Sequence, residues 1–122
     1  MTVNEAIAAA VRSIGDEVSR EELTEWLAQI ENTVVCEIAA THEGDTSDKT
    51  LITSDGDGNR VLFVPDPYSR LYVNYLIMKC DLSLRDIPQY MNSAAVFSES
   101  YKEFADRYNR AYMPLGERAV KL

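Results

Sequence analysis

The twenty residues LFVPDPYSRLYVNYLIMKCD, from Leu62 to Asp81, decide the fold. With Val61, the opening Leu62-Phe63-Val64 is a short β-prone run. It ends at Pro65-Asp66-Pro67, where Asp66 can cap a helix and Pro67 can take the first helical position. Tyr68, Leu71, Tyr72, Tyr75, Leu76, Lys79 and Leu82 then keep helical spacing. Val73, Ile77, Met78 and Cys80 fall between them, so this third helix, about 67–82, is apolar on nearly every side. Such a helix is buried centrally or covered by a partner chain.

Working outward toward the N-terminus, Thr2 and Glu5 form a capping box, and Val3, Ala6, Ile7, Ala10, Val11 and Ile14 make one helical face. Gly15 stops that first helix, about 2–14. Ser19 and Glu22 form a second box, with Val18 and Leu23 placed as a hydrophobic staple. Leu23, Trp26, Leu27, Ile30, Val34 and Ile38 mark the inner stripe of a second helix, about 20–41. Glu21, Glu22, Glu25 and Glu31 fall mostly on its other faces. Residues 43–59 concentrate turn-formers. The β-prone runs 51–53 and 61–64 flank Asp55-Gly56-Asp57-Gly58-Asn59, which predicts a hairpin or loop over 43–66, leaning on the helices.

Toward the C-terminus, Asp86 can cap a fourth helix with Pro88 in its first turn. Ile87, Tyr90, Met91, Ala94, Phe97, Tyr101, Phe104, Tyr108 and Tyr112 hold helical spacing over about 86–112, and Met113-Pro114 ends it. Phe97, Tyr101 and Phe104 are expected to pack against the second and third helices. Residues 113–122 form a tail. The expectation is a mainly α, four-helix bundle-like single domain over 1–122, with one long C-terminal helix and a hairpin inserted between the second and third helices.

The 122 residues suit one domain, and a net charge of −8 argues against a phosphate-gripping protein. The charge is unevenly spread. Residues 1–50 hold eleven acids and three bases, whereas 51–122 hold nine of each. Arg107, Arg110, Arg118 and Lys121 face one acid, Glu117, over the last sixteen residues. Glu21, Glu22 and Glu25 form an early acidic patch. These seven charged residues are the candidate interface, and a plain solvated surface is the competing reading. Cys36 and Cys80 lack CxxC pairing and are expected as reduced thiols in a cytosolic setting. The start, with Glu5 and no basic leader, does not read as a signal peptide, and no apolar run is long enough to span a membrane.

Asp55, Asp57 and Asn59 invite comparison with a calcium loop. With Asp55 as first ligand, position 6 falls on Arg60 in place of glycine, and position 12 falls on Asp66 at a helix cap. The stretch is therefore read as a turn at a hairpin tip. His42 is the sole histidine, which excludes multi-histidine metal sites and weakens any triad. It is read as interacting with the last carbonyls of the second helix. No phosphate-loop, dinucleotide or nucleophile-elbow motif is present. The chain is expected to be no enzyme and to need no cofactor and no metal.

Residues 62–81, followed by YMNSAAVFSESYKEFADRYNR from Tyr90 to Arg110, resemble the small head–tail connector (adaptor) proteins of long-tailed phages and prophages. In those proteins an apolar run enters a Val-Pro-x-Pro-Tyr turn and an aromatic-rich helix. A long helix with an Asn pair or Asn-Ser and spaced aromatics follows. The matching positions are Val64, Pro65, Pro67, Tyr68, Asn92, Ser93, Phe97, Tyr101, Phe104, Tyr108, Asn109 and Arg110, and Thr41-His42-Glu43-Gly44 also looks like the family. The resemblance spans about 75 residues. It departs at Leu84-Arg85-Asp86-Ile87-Pro88, where relatives often carry an Asn-Gly-type turn. It implies a subunit that forms a ring, typically a dodecamer, under the portal protein. The ring would extend the DNA channel without binding DNA specifically, and would dock a tail-completion or stopper protein. The place of action would be the virion neck, after assembly in the host cytoplasm. The alternative is a dimeric helical interaction or regulatory module without catalysis.

Calcium should leave the melting temperature unchanged, and Asp55→Ala with Asp57→Ala should alter stability by no more than about 1 kcal/mol. A calcium-dependent rise of several degrees in a thermal melt would restore the calcium loop.

Overall fold

The computed structural model describes residues 1–39, 42–43 and 58–114. The protein is mainly helical and bundle-like, with α1 Val3–Ile14, α2 Arg20–Glu37, α3 Arg70–Ser83 and α4 Ile87–Ala111. Two-residue strands β1, His42–Glu43, and β2, Met113–Pro114, pair antiparallel.

Local chemistry sets the helix ends. At α1 the box is complete: the Thr2 hydroxyl accepts from the Glu5 N–H, and the Glu5 carboxylate accepts from the Thr2 N–H. Gly15, at φ 78°, takes the left-handed turn that stops it. At α2 the Ser19 hydroxyl accepts from the Glu22 N–H at 3.2 Å, which is one half of the expected box. Helix α2 stops at Glu37, short of 41, and His42 falls in β1, beyond the helix. Ile38 and Ala39 are nevertheless buried, so the apolar stripe that predicted a longer helix continues through the non-helical exit.

Helix α3 begins at Arg70, later than 67. The Tyr68 N–H donates to the Pro65 carbonyl at 2.9 Å and closes a turn. Asp66 accepts from the Ser69 hydroxyl within that turn. It therefore does not cap the helix, and Ser69 is the N-cap residue. The Asp66–Pro67 peptide is cis. At α4 Asp86 does cap, accepting from the Gln89 N–H at 3.2 Å, with Pro88 in the first turn. At the joint between α3 and α4, Arg85 sits at φ 59°. That left-handed conformation is the one an Asn-Gly turn supplies more cheaply.

Helix α3 is the centre of the molecule, covered by its own chain. Leu71, Tyr72, Val73 and Leu76 are wholly buried, with Cys80 next to them. Helix α1 contributes Val3, Ala6, Ile7 and Ala10, and α2 contributes Leu23, Leu27, Ile30 and Val34. Helix α4 packs mainly on α3. Its long apolar stripe is not continuous core: Phe104 and Tyr108 are buried, while Ile87 and Met91 are exposed. Phe97 meets Tyr75 of α3 as expected, and Tyr101 reaches Glu37 at the end of α2. Phe104 packs instead on Phe63 and Tyr68 of the connecting segment, with ring centroids 6.5 and 6.1 Å apart.

The run 61–64 was expected as one strand of a hairpin with 51–53, and residues 51–53 lie outside the described residues. Within them, Val61 bridges antiparallel to Thr2, and the Leu62 N–H donates to the Met1 carbonyl at 2.9 Å. This segment also answers to a residue that the sequence reading placed on an outer face. Glu31 is 1% exposed. Its carboxylate accepts from the Phe63 N–H at 2.8 Å and from the Tyr72 hydroxyl at 2.6 Å. The Tyr72 oxygen in turn accepts from the Val64 N–H at 2.8 Å. Four groups thus satisfy one another where a lone carboxylate would be costly. Burial raises the Glu31 pKa above the ordinary carboxyl value, against the opposing effects of its Tyr72 and Phe63 hydrogen bonds and of Arg60.

Two expectations follow from this packing. Phe104→Ala should cost about 3–5 kcal/mol in denaturant unfolding, because an aromatic ring leaves a filled site. A loss below about 1 kcal/mol would place the ring outside the core. For Glu31, the folded carboxyl holds its proton more tightly than the unfolded one. Its contribution is therefore full below the unfolded pKa and is lost as pH rises through the raised folded value. The wild type should lose ground to Glu31→Gln as pH climbs from about 4 toward neutral. Paired unfolding curves at several pH values measure the gap, and a flat gap would mean that the hydrogen bonds cancel the burial.

Candidate functional site

Glu21, Glu22 and Glu25 stand exposed on the first two turns of α2. Their position suits them electrostatically, since carboxylates are favourable near a helix N-terminus. Arg107 and Arg110 stand exposed near the C-terminus of α4, where cations are favourable for the same reason. Arg118 and Lys121 lie outside the described residues.

The contacts between helices fix the relation of the two patches. Lys79 lies over the Trp26 ring at 5.7 Å, while the Tyr72 hydroxyl meets Glu31, so α2 and α3 run antiparallel. Asp81 accepts from the Ser93 hydroxyl, and Asn74 donates to Ser100, so α3 and α4 are antiparallel as well. The start of α2 therefore sits at the end of the bundle where α4 begins. The close of α4 sits at the other end. The structure does not bring Glu21, Glu22 and Glu25 together with Arg107 and Arg110 within one chain. It sets them at opposite ends.

At the basic end the turn 65–68 and the last turns of α4 enclose a cleft of about 420 Å³. Phe63, Tyr68, Phe104, Tyr108 and Tyr112 supply aromatic walls, and Arg107 stands on the rim. Phe104 and Tyr108 stack at 5.6 Å, and Tyr108 and Tyr112 at 4.7 Å. Chemically, this is an apolar recess whose lining holds one guanidinium, Arg107, and one carboxylate, Asp66. It suits an aromatic or aliphatic side chain.

The other end has a different character. From Ile87 to Ser98 the sequence carries no charged residue, and none of these twelve residues is buried. Leu82, Leu84, Ile87, Met91 and Val96 are exposed there, between 42% and 66%. Helical spacing had marked Ile87 and Met91 as core. The signal that could have corrected this is the missing charge on what should be an outer face of a solvated helix.

The titratable groups inside the bundle serve packing. Glu31 and Tyr72 are spent on backbone N–H groups, and burial raises the Tyr72 hydroxyl pKa, with the nearby Glu31 adding to it. Tyr101 is pushed up to about 12, first by burial and then by Glu37. Burial also raises the Cys80 thiol, with Asp81, Glu17 and Glu22 adding to the shift. Neither Cys36, which is exposed, nor Cys80 is in a disulfide. Among the described residues no group of three or more His, Cys, Asp or Glu side chains is placed to hold a metal. Asp55 and Asp57 lie outside them. Among the same residues, no helix is long and apolar enough to cross a membrane.

Against known protein families, curated proteins and solved structures, the chain shows no match.

Proposed function

We propose that this chain is a head–tail connector subunit of a tailed phage or prophage. It assembles as a ring under the portal protein, extends the DNA channel and docks a tail-completion or stopper protein. It acts in the virion neck after assembly in the host cytoplasm, makes contacts without catalysis, and lets DNA pass without specific binding. The observation that carries this reading is the placement of Glu21, Glu22 and Glu25 at one end of the bundle and of Arg107 and Arg110 at the other. A subunit charged oppositely at its two ends can meet its neighbour, or the portal, through unlike surfaces, as ring closure requires. The aromatic cleft beside Arg107 supports the same reading, because apolar recesses next to cations are where interface anchors seat.

A second reading is a dimeric helical interaction module. It is favoured by the exposed, uncharged first half of α4.

The decisive experiment uses the portal protein of the same phage or prophage, with ring formation counted in electron micrographs. Exposed ion pairs contribute about 0.2–1 kcal/mol each, so charge sets register more than affinity. Arg107→Glu with Arg110→Glu should weaken assembly by up to about thirtyfold. Adding Glu22→Lys and Glu25→Lys to the same chain should restore part of it. Assembly untouched by the reversal at both low and high salt would reduce the charge asymmetry to a solvated surface.

A further inference from the structure

We infer that a recess on the seam between α3 and α4 is a binding site for the guanidinium of an arginine side chain carried by another protein. Helix α3 contributes Asn74, Ile77 and Asp81, one stripe at spacings of three and four. Helix α4 contributes Gln89, Asn92, Ser93 and Val96, spaced likewise. Together they line about 260 Å³. Pockets for cofactors and drug-sized ligands begin at about 300 Å³, so the space takes a side chain and little more.

The lining selects the kind of side chain. Asp81 is half-buried. Its carboxylate accepts from the Ser93 hydroxyl at 2.8 Å, and no other hydrogen bond or ion pair reaches it among the described residues. The nearest bases in sequence do not neutralise it. Lys79 lies over the Trp26 ring at 5.7 Å, and Arg85 is exposed and lines no part of the recess. Asn74 spends its N–H on Ser100, which leaves its amide oxygen, and Gln89 and Asn92 bring two more. Ile77 and Val96 are the apolar walls. Arginine is the complement of this set: a planar fork of five donors with a fixed charge, on an apolar stem. An ammonium offers only a point charge.

The surroundings draw a cation as well. Asp81, Glu17 and Glu22 all act on the Cys80 thiol in the same direction. The next recess along the seam shares Asn74 and Val96, and adds Glu99 and Glu103 against Arg70. The net charge of −8 steers a basic partner at longer range. The site does not rest on the connector reading, since it belongs to the free chain.

Amide NMR spectra of the full chain, titrated with N-acetyl-arginine methylamide, test the site. Signals of Asn74, Asp81, Asn92 and Ser93 should shift together and saturate, with a Kd of about 1–20 mM for so small a contact. The citrulline analogue, equal in shape but uncharged, should not saturate, and the lysine analogue should bind at least about threefold more weakly. Asp81→Asn keeps an oxygen for Ser93 and should weaken arginine binding at least about tenfold at an unchanged melting temperature. Val96→Arg, at a position 53% exposed, occupies the recess from within and should abolish binding, so the test survives if the Asp81 variant unfolds. Free arginine should bind no better than the blocked form, because a partner's side chain presents no free amino acid ends. No saturable shift up to about 50 mM would overturn the inference. So would equal binding of the citrulline analogue, unchanged binding by a folded Asp81→Asn or Val96→Arg variant, or a tenfold preference for free arginine, which would mark a metabolite site.

Discussion

One buried carboxylate holds the connecting segment to the bundle. Glu31 takes the N–H of Phe63 and the hydroxyl of Tyr72, and the Tyr72 oxygen takes the N–H of Val64. A single acid on α2 thus binds α3 and the segment that leads into it. The Phe63 ring, held in that position, becomes the surface on which Phe104 and Tyr108 rest. The basic half of α4 is placed by this chain of contacts as much as by α3. An unpaired carboxylate here would be among the costliest groups in the protein, so the arrangement stands only as a complete set.

The helices were legible because their ends carry specific chemistry. Thr2 with Glu5, Gly15, Ser19 and Asp86 each satisfy or release backbone groups that a helix terminus leaves open, and each does so in the structure. The central place of α3 followed from its lack of a polar face. Glu31 was missed because it was grouped with Glu21, Glu22 and Glu25 on the other faces of α2. Its register said otherwise: it lies four residues after Leu27 and three before Val34, both fully buried. Periodicity was the better witness, and residue type misled because the partners, Tyr72 and two backbone N–H groups, come from distant sequence.

The reverse error occurred on α4. Periodicity alone made Ile87 and Met91 core, but α1 and α2 cover α3 and leave this flank of α4 open. Sequence spacing shows which residues share a face, and neighbouring elements decide whether that face is covered. The pairing of β1 with β2 could not be anticipated, since two residues at each site carry no alternation to read. The charged ends were visible as composition. What the sequence left open was their separation, which depends on α2, α3 and α4 running alternately up and down.

The small β1–β2 ladder has a mechanical meaning. It joins the chain just after α2 to the chain just after α4, about seventy residues apart in sequence. The stretch leaving α2 and the stretch leaving α4 therefore set each other's direction, although both helices lie on α3 more than on each other. A ladder of two residues has little strength of its own, so it orients the two exits and leaves the hold of the bundle to the packing around α3.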